Sequence, residues 1–132
     1  MANNVVARFR DGRVLKGSSL DAHSRKDTFH LRSPEGEMEE VSLADLKAVF
    51  FVRSFDGDST RDDSEKLDPT DRRARGMKVV RISFDDDEQI VGLTSHYPAT
   101  RPYFFVLPVD ARSNNVRILV NRDAIEEIEL VE

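Results

Sequence analysis

Residues 5–12 read Val5-Val6-Ala7-Arg8-Phe9-Arg10-Asp11-Gly12. Apolar and polar side chains alternate along this stretch, and that alternation predicts a β-strand with one buried face. Asp11-Gly12 then predicts a hairpin turn, because glycine accepts a positive φ. We expect residues 13–19 to return as a second strand, with Gly17 at a bend or a close approach of two backbones.

The same pattern returns later in the chain, 75 residues further on. Four extra residues enter the later copy after the Ser33-Pro34 region, and the offset is then 79. The aligned pairs include Phe9 with Phe84, Gly17 with Gly92, Phe29 with Phe104, Leu46 with Ile125 and Phe51 with Leu130. We interpret the chain as two diverged copies of one unit. Chance matching of two stretches with strand-like alternation is the alternative.

Each copy predicts five short strands, with a helical turn at 42–46 before the last strand of the first copy. The predicted strands are 5–10, 13–19, 28–32, 38–43 and 48–52, then 78–84, 88–95, 103–107, 116–121 and 125–131. Curling or closing such a sheet removes its exposed edges. The sequence therefore predicts an all-β fold of two tandem five-stranded SH3-like or Sm-like small barrels, related by internal duplication. Their expected bounds are 1–53 and 78–132, with a polar connector at 54–77.

The two copies differ in which strands are apolar on both faces. Residues 48–52 and 103–107 are apolar throughout, whereas each one's counterpart in the other copy alternates with polar residues. Uninterrupted apolar strands are typical of burial on both faces. We expect the other copy, or a second chain, to cover these outer faces, with packing under the 54–77 connector as the alternative. The residues predicted at this interface are Phe50, Val52, Tyr103, Phe105 and Leu107.

Four basic residues of the first hairpin are candidates for binding an anion. Arg8 and Arg10 alternate with apolar residues and so share the outer face of the first strand. Arg13 and Lys16 lie across the hairpin from them. A solvated face whose charge is balanced by Asp11 is the alternative interpretation.

The sequence offers no strong candidate for catalysis or metal binding. The stretch 56–62 begins like a calcium-binding loop, but Arg61 stands where such a loop needs glycine and Leu67 where it needs glutamate. The acidic run 85–88 lies between two predicted strands and is better explained as a hairpin turn. None of the histidines has the spacing of a helical zinc motif; they are His23, His30 and His96. We expect no metal site, no cofactor and no enzymatic activity.

Composition narrows the remaining classes of function. The 132 residues include no cysteine, which excludes disulfides and thiol catalysis. No apolar run approaches the length of a membrane helix, and 1–10 lacks the apolar core of a secretory signal, so we expect a cytoplasmic protein. The net charge of −5 argues against a general nucleic-acid binder.

Two resemblances add to these expectations. The stretch 6–17 resembles the first part of an Sm-type motif, a strand, a glycine turn and a second strand that contains glycine. More of the chain resembles a family of uncharacterised bacterial domains, through the segments 11–13, 29–31, 46–52 and 104–115. This resemblance implies a bacterial protein, sometimes linked to signalling modules, without an established activity.

Together these observations favour a non-catalytic interaction or adaptor module that contacts a protein partner or a second copy of itself. The alternative is an Sm-like binder of nucleic acid or nucleotides that uses the basic hairpin face of Arg8, Arg10, Arg13 and Lys16.

Overall fold

A computed structural model describes residues 3–55, 70–97 and 100–131 of the chain. The described residues form ten strands and three single 3₁₀ turns, so the predicted all-β class is confirmed. The strands are β1 Asn3–Phe9, β2 Val14–Ser19, β3 Thr28–Arg32, β4 Met38–Ser42, β5 Leu46–Val52, β6 Lys78–Phe84, β7 Gln89–Thr94, β8 Tyr103–Pro108, β9 Asn115–Asn121 and β10 Ile125–Leu130. The 3₁₀ turns are Leu43–Asp45, Arg72–Ala74 and Arg122–Ala124. Most of the predicted connector, 56–69, lies outside the described residues.

All ten strands belong to one antiparallel sheet, in the order β10-β6-β7-β8-β9-β5-β1-β2-β3-β4. The two halves of the chain meet where β5 pairs with β9. Two tandem small barrels were predicted, but the pairing describes one continuous sheet that is not closed, with β10 and β4 at its edges. The physical reason is that β5 and the middle of β9 are apolar on both faces, and pairing them buries those faces together.

The strand order is the same in both halves, and equivalent contacts recur. Gly17 lies where the expected close approach occurs, because a Cβ atom there would collide with the carbonyl oxygen of Arg32. A Cβ on Gly92 would collide with Val106 and lie 2.8 Å from the carbonyl oxygen of Leu107, at the equivalent place in the second half. Only glycine lets these neighbouring strands approach so closely.

The two hairpin turns use different residues for the same backbone conformation. Gly12 has a φ of 97° in the β1–β2 turn, and Asp87 has a φ of 71° in the β6–β7 turn. Asp87 is the single non-glycine residue with positive φ in the described part of the chain. Aspartate tolerates the left-handed region better than most residues, which explains how an acidic run can replace Asp-Gly here.

The hydrophobic core consists of two clusters, and each draws on both halves of the chain. One cluster joins the interior of the second half to residues on β1 and β5; these are Val6, Ala48, Phe50 and Val52. The other joins the interior of the first half to Tyr103 and Leu119, with Phe105 packed against it. Because neighbouring residues along β5 enter different clusters, the two clusters lie on opposite faces of β5. Each half therefore completes the core of the other.

None of the described residues belongs to a helix that is long and apolar enough to cross a membrane.

Replacing Phe50 by alanine should lower the free energy of unfolding by about 3–5 kcal/mol, because a buried aromatic side chain is lost from the shared cluster. Chemical denaturation measures this change. Val116→Ala is the matched control, since Val116 on β9 is 45% exposed, and it should change the free energy by less than about 0.5 kcal/mol. Similar small losses in both variants would show that Phe50 does not contribute to a shared core.

Candidate functional site

The structure places most of the predicted interface residues between the two halves of the chain. Phe50 and Val52 are buried against the second half, at 6% and 9% exposure. Tyr103 is buried against the core of the first half, and this burial raises the pKa of its hydroxyl. Leu107 is partly exposed, faces Leu93 in the β7–β8 pair and enters neither cluster.

Aromatic and cationic side chains pack around the same junction. The ring of Phe105 lies 5.9 Å from that of Phe51 and 6.4 Å, edge to face, from that of His23. The guanidinium of Arg117 lies 4.3 Å from the ring centre of Phe51 and 4.8 Å from that of Phe105. This geometry favours attraction between the cation and both rings.

A lysine that sequence reasoning missed ties the halves together electrostatically. Lys47 lies on β5, and its side chain is only 7% exposed. Its Nζ donates to Asp86 at 2.7 Å, forms an ion pair with Glu88 and lies 4.6 Å from the ring centre of Phe84. This hydrogen bond holds the pKa of Asp86 below 3.8. The acidic turn 85–88 thus binds the ammonium group of Lys47. Arg10, also in the first half, forms a further ion pair with Asp85 of this turn.

The structure divides the four candidate anion-binding residues into two pairs. Arg10 binds Asp85 at 3.1 Å, and Arg13 binds Asp11 at 2.9 Å. The hydrogen bonds from Arg13 lower the pKa of Asp11. Arg8 and Lys16 form no ion pair within the described ranges, and both line one cavity of about 260 Å³. The structure therefore brings together Arg8 and Lys16, but not the whole set of four.

We call this cavity the cationic pocket; it is lined by Val6, Arg8, Lys16, Phe50, Val52, Ser54, Phe55, Glu88, Asn114 and Asn115. Arg8 lies over the ring of Phe50 at 5.6 Å. Asn114 is held in place by two hydrogen bonds between its side-chain amide and the backbone of Ser54. Two cations that form no ion pair among the described residues, beside aromatic rings, can attract an anion and stack a planar group.

A second cavity lies across the end of β2, β3 and the first residue of β4, and sequence reasoning missed its apolar residues. Its volume is about 290 Å³, and it is lined by Ser18, Ser19, Leu20, Asp21, His30, Arg32 and Met38. Leu20 is 79% exposed and Met38 is 56% exposed. We call this region the β4 surface. Each of these two residues is an isolated apolar residue in a polar stretch, so periodicity provides no signal for them.

Hydrogen bonds to Asp21 hold the β4 surface in shape. Asp21 accepts hydrogen bonds from the backbone N–H and Nδ1 of His30, both at 2.8 Å, and from the hydroxyl of Ser19 at 3.2 Å. Burial raises the pKa of Asp21, but the bonds from His30 and Ser19 outweigh it, so the pKa lies below 3.8. The hydrogen bond between the imidazole of His30 and the carboxylate of Asp21 also raises the pKa of His30 above 6.5. Ser19 bonds the carboxylate rather than the imidazole, so this cluster lacks the serine–histidine contact of an activated nucleophile.

Across 3–55, 70–97 and 100–131, no group of three or more histidine, aspartate or glutamate residues is placed to hold a metal ion. The stretch 56–62, which begins like a calcium loop, lies outside the described residues.

The fold and these surfaces define an all-β protein whose candidate sites are shallow cavities on an open sheet. The chain belongs to DUF6982, a family of unknown function, which it matches over residues 1–132. No curated protein and no solved structure matches it significantly. Membership of this family agrees with the expected resemblance to an uncharacterised family. A bacterial source and a relationship to small β-barrels stay predictions.

Replacing Lys47 by methionine should lower the free energy of unfolding by about 1–2 kcal/mol at neutral pH. The expected loss is smaller than for a fully buried ion pair, because the partner carboxylates are half exposed and water screens them. The pKa of Asp86 is lowered in the folded state, so its pairing stabilises the protein above 3.8 and loses that effect as the pH falls through the lowered pKa. The difference from the unsubstituted protein should therefore shrink in strong acid. Denaturant titrations across this pH range measure it.

Lys16→Met is the matched control, because Lys16 is exposed and forms no ion pair among the described residues. It should change the free energy of unfolding by less than about 0.5 kcal/mol at any pH. If Lys47→Met has an equally small effect at neutral pH, the ion pairs of Lys47 do not tie the halves together.

Proposed function

We propose that this protein is a non-catalytic interaction module of a bacterial cytoplasm, built from two diverged copies of one small Sm-like β unit. We further propose that it binds an extended segment of a partner protein along β4. The observation that carries the proposal is the exposure of Met38 on a strand that pairs on one side with no other described strand, together with exposed Leu20, which lines the same cavity.

Equivalent contacts support the duplication. The 3₁₀ turns Leu43–Asp45 and Arg122–Ala124 precede the last strand of each half at an offset of 79. The N–H of Arg10 donates to the carbonyl of Asp45, and the N–H of Asp85 donates to the carbonyl of Ala124. Such long-range bonds depend on how the whole unit is folded, so their recurrence is harder to attribute to chance than the recurrence of strand alternation.

The backbone of β4 offers the main binding groups. This strand pairs with β3 on one side only, which leaves a row of N–H and C=O groups on the other. An extended peptide can add itself to such an edge, with its backbone providing affinity and its alternate side chains providing specificity.

The side chains around β4 indicate the chemistry of the partner. Leu20 and Met38 offer apolar surface for one or two apolar side chains, in a cavity that also contains Asp21, His30 and Arg32. Glu37, Glu39 and Glu40 are exposed along the same edge and favour lysine or arginine. The expected ligand is an extended segment in which apolar and basic residues alternate.

Selection from a random peptide library displayed on phage should yield peptides of this composition. Met38→Asp should weaken the binding of synthetic versions at least tenfold, because it replaces the exposed apolar side chain that would contact the peptide by a carboxylate. Val116→Asp is the matched control, since it introduces the same charge at an exposed valine on β9, and it should leave binding unchanged. Fluorescence anisotropy measures both affinities. Failure to select such peptides, or equal binding by both variants, would contradict the proposal.

A second candidate function rests on the cationic pocket. Arg8 and Lys16 line it together, and neither forms an ion pair with a described carboxylate; Glu88, which also lines it, is paired with Lys47. The ring of Phe55 is partly exposed and provides stacking surface. This combination favours a phosphate-bearing ligand such as a nucleotide or a single strand of RNA.

A short fluorescently labelled RNA is a direct probe of this second function. The double variant Arg8→Ala, Lys16→Ala should lose binding, and the affinity of the unsubstituted protein should fall steeply with added salt. Arg13→Ala is the control, because Arg13 is already paired with Asp11, and its effect should be small. If all variants bind equally, or if none binds RNA, the second function is wrong.

A further inference from the structure

The two outer strands of the sheet correspond to the two strands that pair at its centre. Under the offset of 79, β4 is the counterpart of β9, and β10 is the counterpart of β5. In the chain, β5 of the first half pairs with β9 of the second. The same head-to-tail contact between two chains would pair β10 of one chain with β4 of the next, and it could repeat without end.

We propose that glutamates on both edges block this contact, so that the sheet ends at the ten strands of a single chain. The proposal uses the correspondence of the halves and does not depend on which ligand the protein binds.

The first edge, β4, carries carboxylates where its counterpart is apolar. Glu39 and Glu40 are exposed, and they occupy the positions that Ile118 and Leu119 hold in β9. Ile118 and Leu119 are 3% and 1% exposed, because the internal junction buries them. The edge thus keeps a strand and keeps Val41 as the counterpart of Val120, but it lacks the apolar side chains that Ile118 and Leu119 contribute to the junction.

The second edge, β10, shows the same substitution on the other side of the contact. Glu127 and Glu129 are exposed and stand where β5 has Ala48 and Phe50. Glu129 is paired with Arg81 of the adjacent strand at 3.2 Å, and both side chains remain partly exposed. Adding another strand here would remove water from these carboxylates.

The register of the internal junction shows what the external contact would bring together. Phe50 faces Ile118 there, so Glu129 of one chain would face Glu39 of the next. Like charges directly opposite each other in a β-ladder are destabilising, and burying them adds a desolvation cost.

The position of Lys47, which forms ion pairs across the internal junction, is occupied on the outer strand β10 by a residue of opposite charge. The counterpart of Lys47 is Glu126, which is exposed. The hairpin that Glu126 would meet in a neighbouring chain offers Asp11 and Arg13, which are already paired with each other. At the external contact Glu126 would therefore face Asp11 in place of the ion pair between Lys47 and Asp86, and Arg13 would be the opposite charge that this hairpin offers.

Charged side chains commonly protect strand edges from association, and terminal units of repeat arrays carry polar outer faces for the same reason. The occupant that these glutamates exclude is a second copy of this chain, because the internal junction provides the complementary geometry.

Two variants test the proposal, and each gives one edge strand the apolar residues of the corresponding strand at the β5–β9 junction. The first is Glu39→Ile, Glu40→Leu on β4, and the second is Glu127→Ala, Glu129→Phe on β10. Each alone should remain a monomer, because the head-to-tail contact needs a β4 edge and a β10 edge that both lack their glutamates. Mixed together, they should form a complex of twice the mass of a single chain, measured by light scattering during gel filtration.

Glu35→Ile, Asp27→Leu is the matched control, since it removes two exposed carboxylates outside both edge strands and should not associate with either variant. An unsubstituted protein that is already oligomeric would overturn the proposal. So would mixed variants that remain monomeric while their circular dichroism shows the native fold, or a variant that pairs with itself.

A charge reversal keeps the proposal testable if the apolar variants fail to fold. Glu127→Lys, Glu129→Lys makes β10 complementary in charge to the natural β4 edge and leaves both edges polar. This variant should associate with further copies of itself at low ionic strength and separate in salt. A folded variant that stays monomeric at low salt would contradict the role given to the glutamates.

Discussion

The pairing of β5 with β9 is the constraint on which the rest of the molecule depends. Both strands are apolar on their two faces where they meet, so neither can lie at the edge of a small sheet without exposing large side chains to water. Pairing them places Phe50 in the core of the second half and Leu119 in that of the first. A unit of about 50 residues buries only a marginal core by itself, and sharing two clusters across one ladder removes that weakness.

The same ladder determines where the candidate sites lie. The cationic pocket combines Arg8 and Lys16 of the first hairpin with two asparagines of the second half. Asn115 is the first residue of β9, and Asn114 comes directly before it. The pocket therefore exists only while the halves are paired. The β4 surface lies at the far edge of the sheet and uses residues of the first half alone. Binding at the β4 surface can consequently vary without disturbing the junction, whereas changes in the pocket and in the core are coupled.

Periodicity predicted much of this arrangement, because alternation reports which face of a strand is buried. It indicated the strands and the two strands that need cover on both faces, and a glycine inside a predicted strand indicated the close approach at Gly17. Periodicity could not indicate that β5 pairs with β9, since strand partners depend on contacts far apart in sequence, and two separate barrels fit the same pattern. Lys47 was missed because it sits inside an apolar run, and its partner Asp86 is 39 residues away. Met38 was missed because a single exposed apolar residue produces no periodic signal.

Amide hydrogen exchange followed by NMR tests the central claim most directly, because it reports the stability of each strand within the intact chain. If the β5–β9 ladder unites the two halves, the hydrogen-bonded amides of both strands should be among the slowest to exchange. They should also share one free energy of opening with the core amides of β1 and β6. Fast exchange along β5 and β9, or two distinct opening free energies for 3–52 and 78–130, would show two independent units and contradict the account.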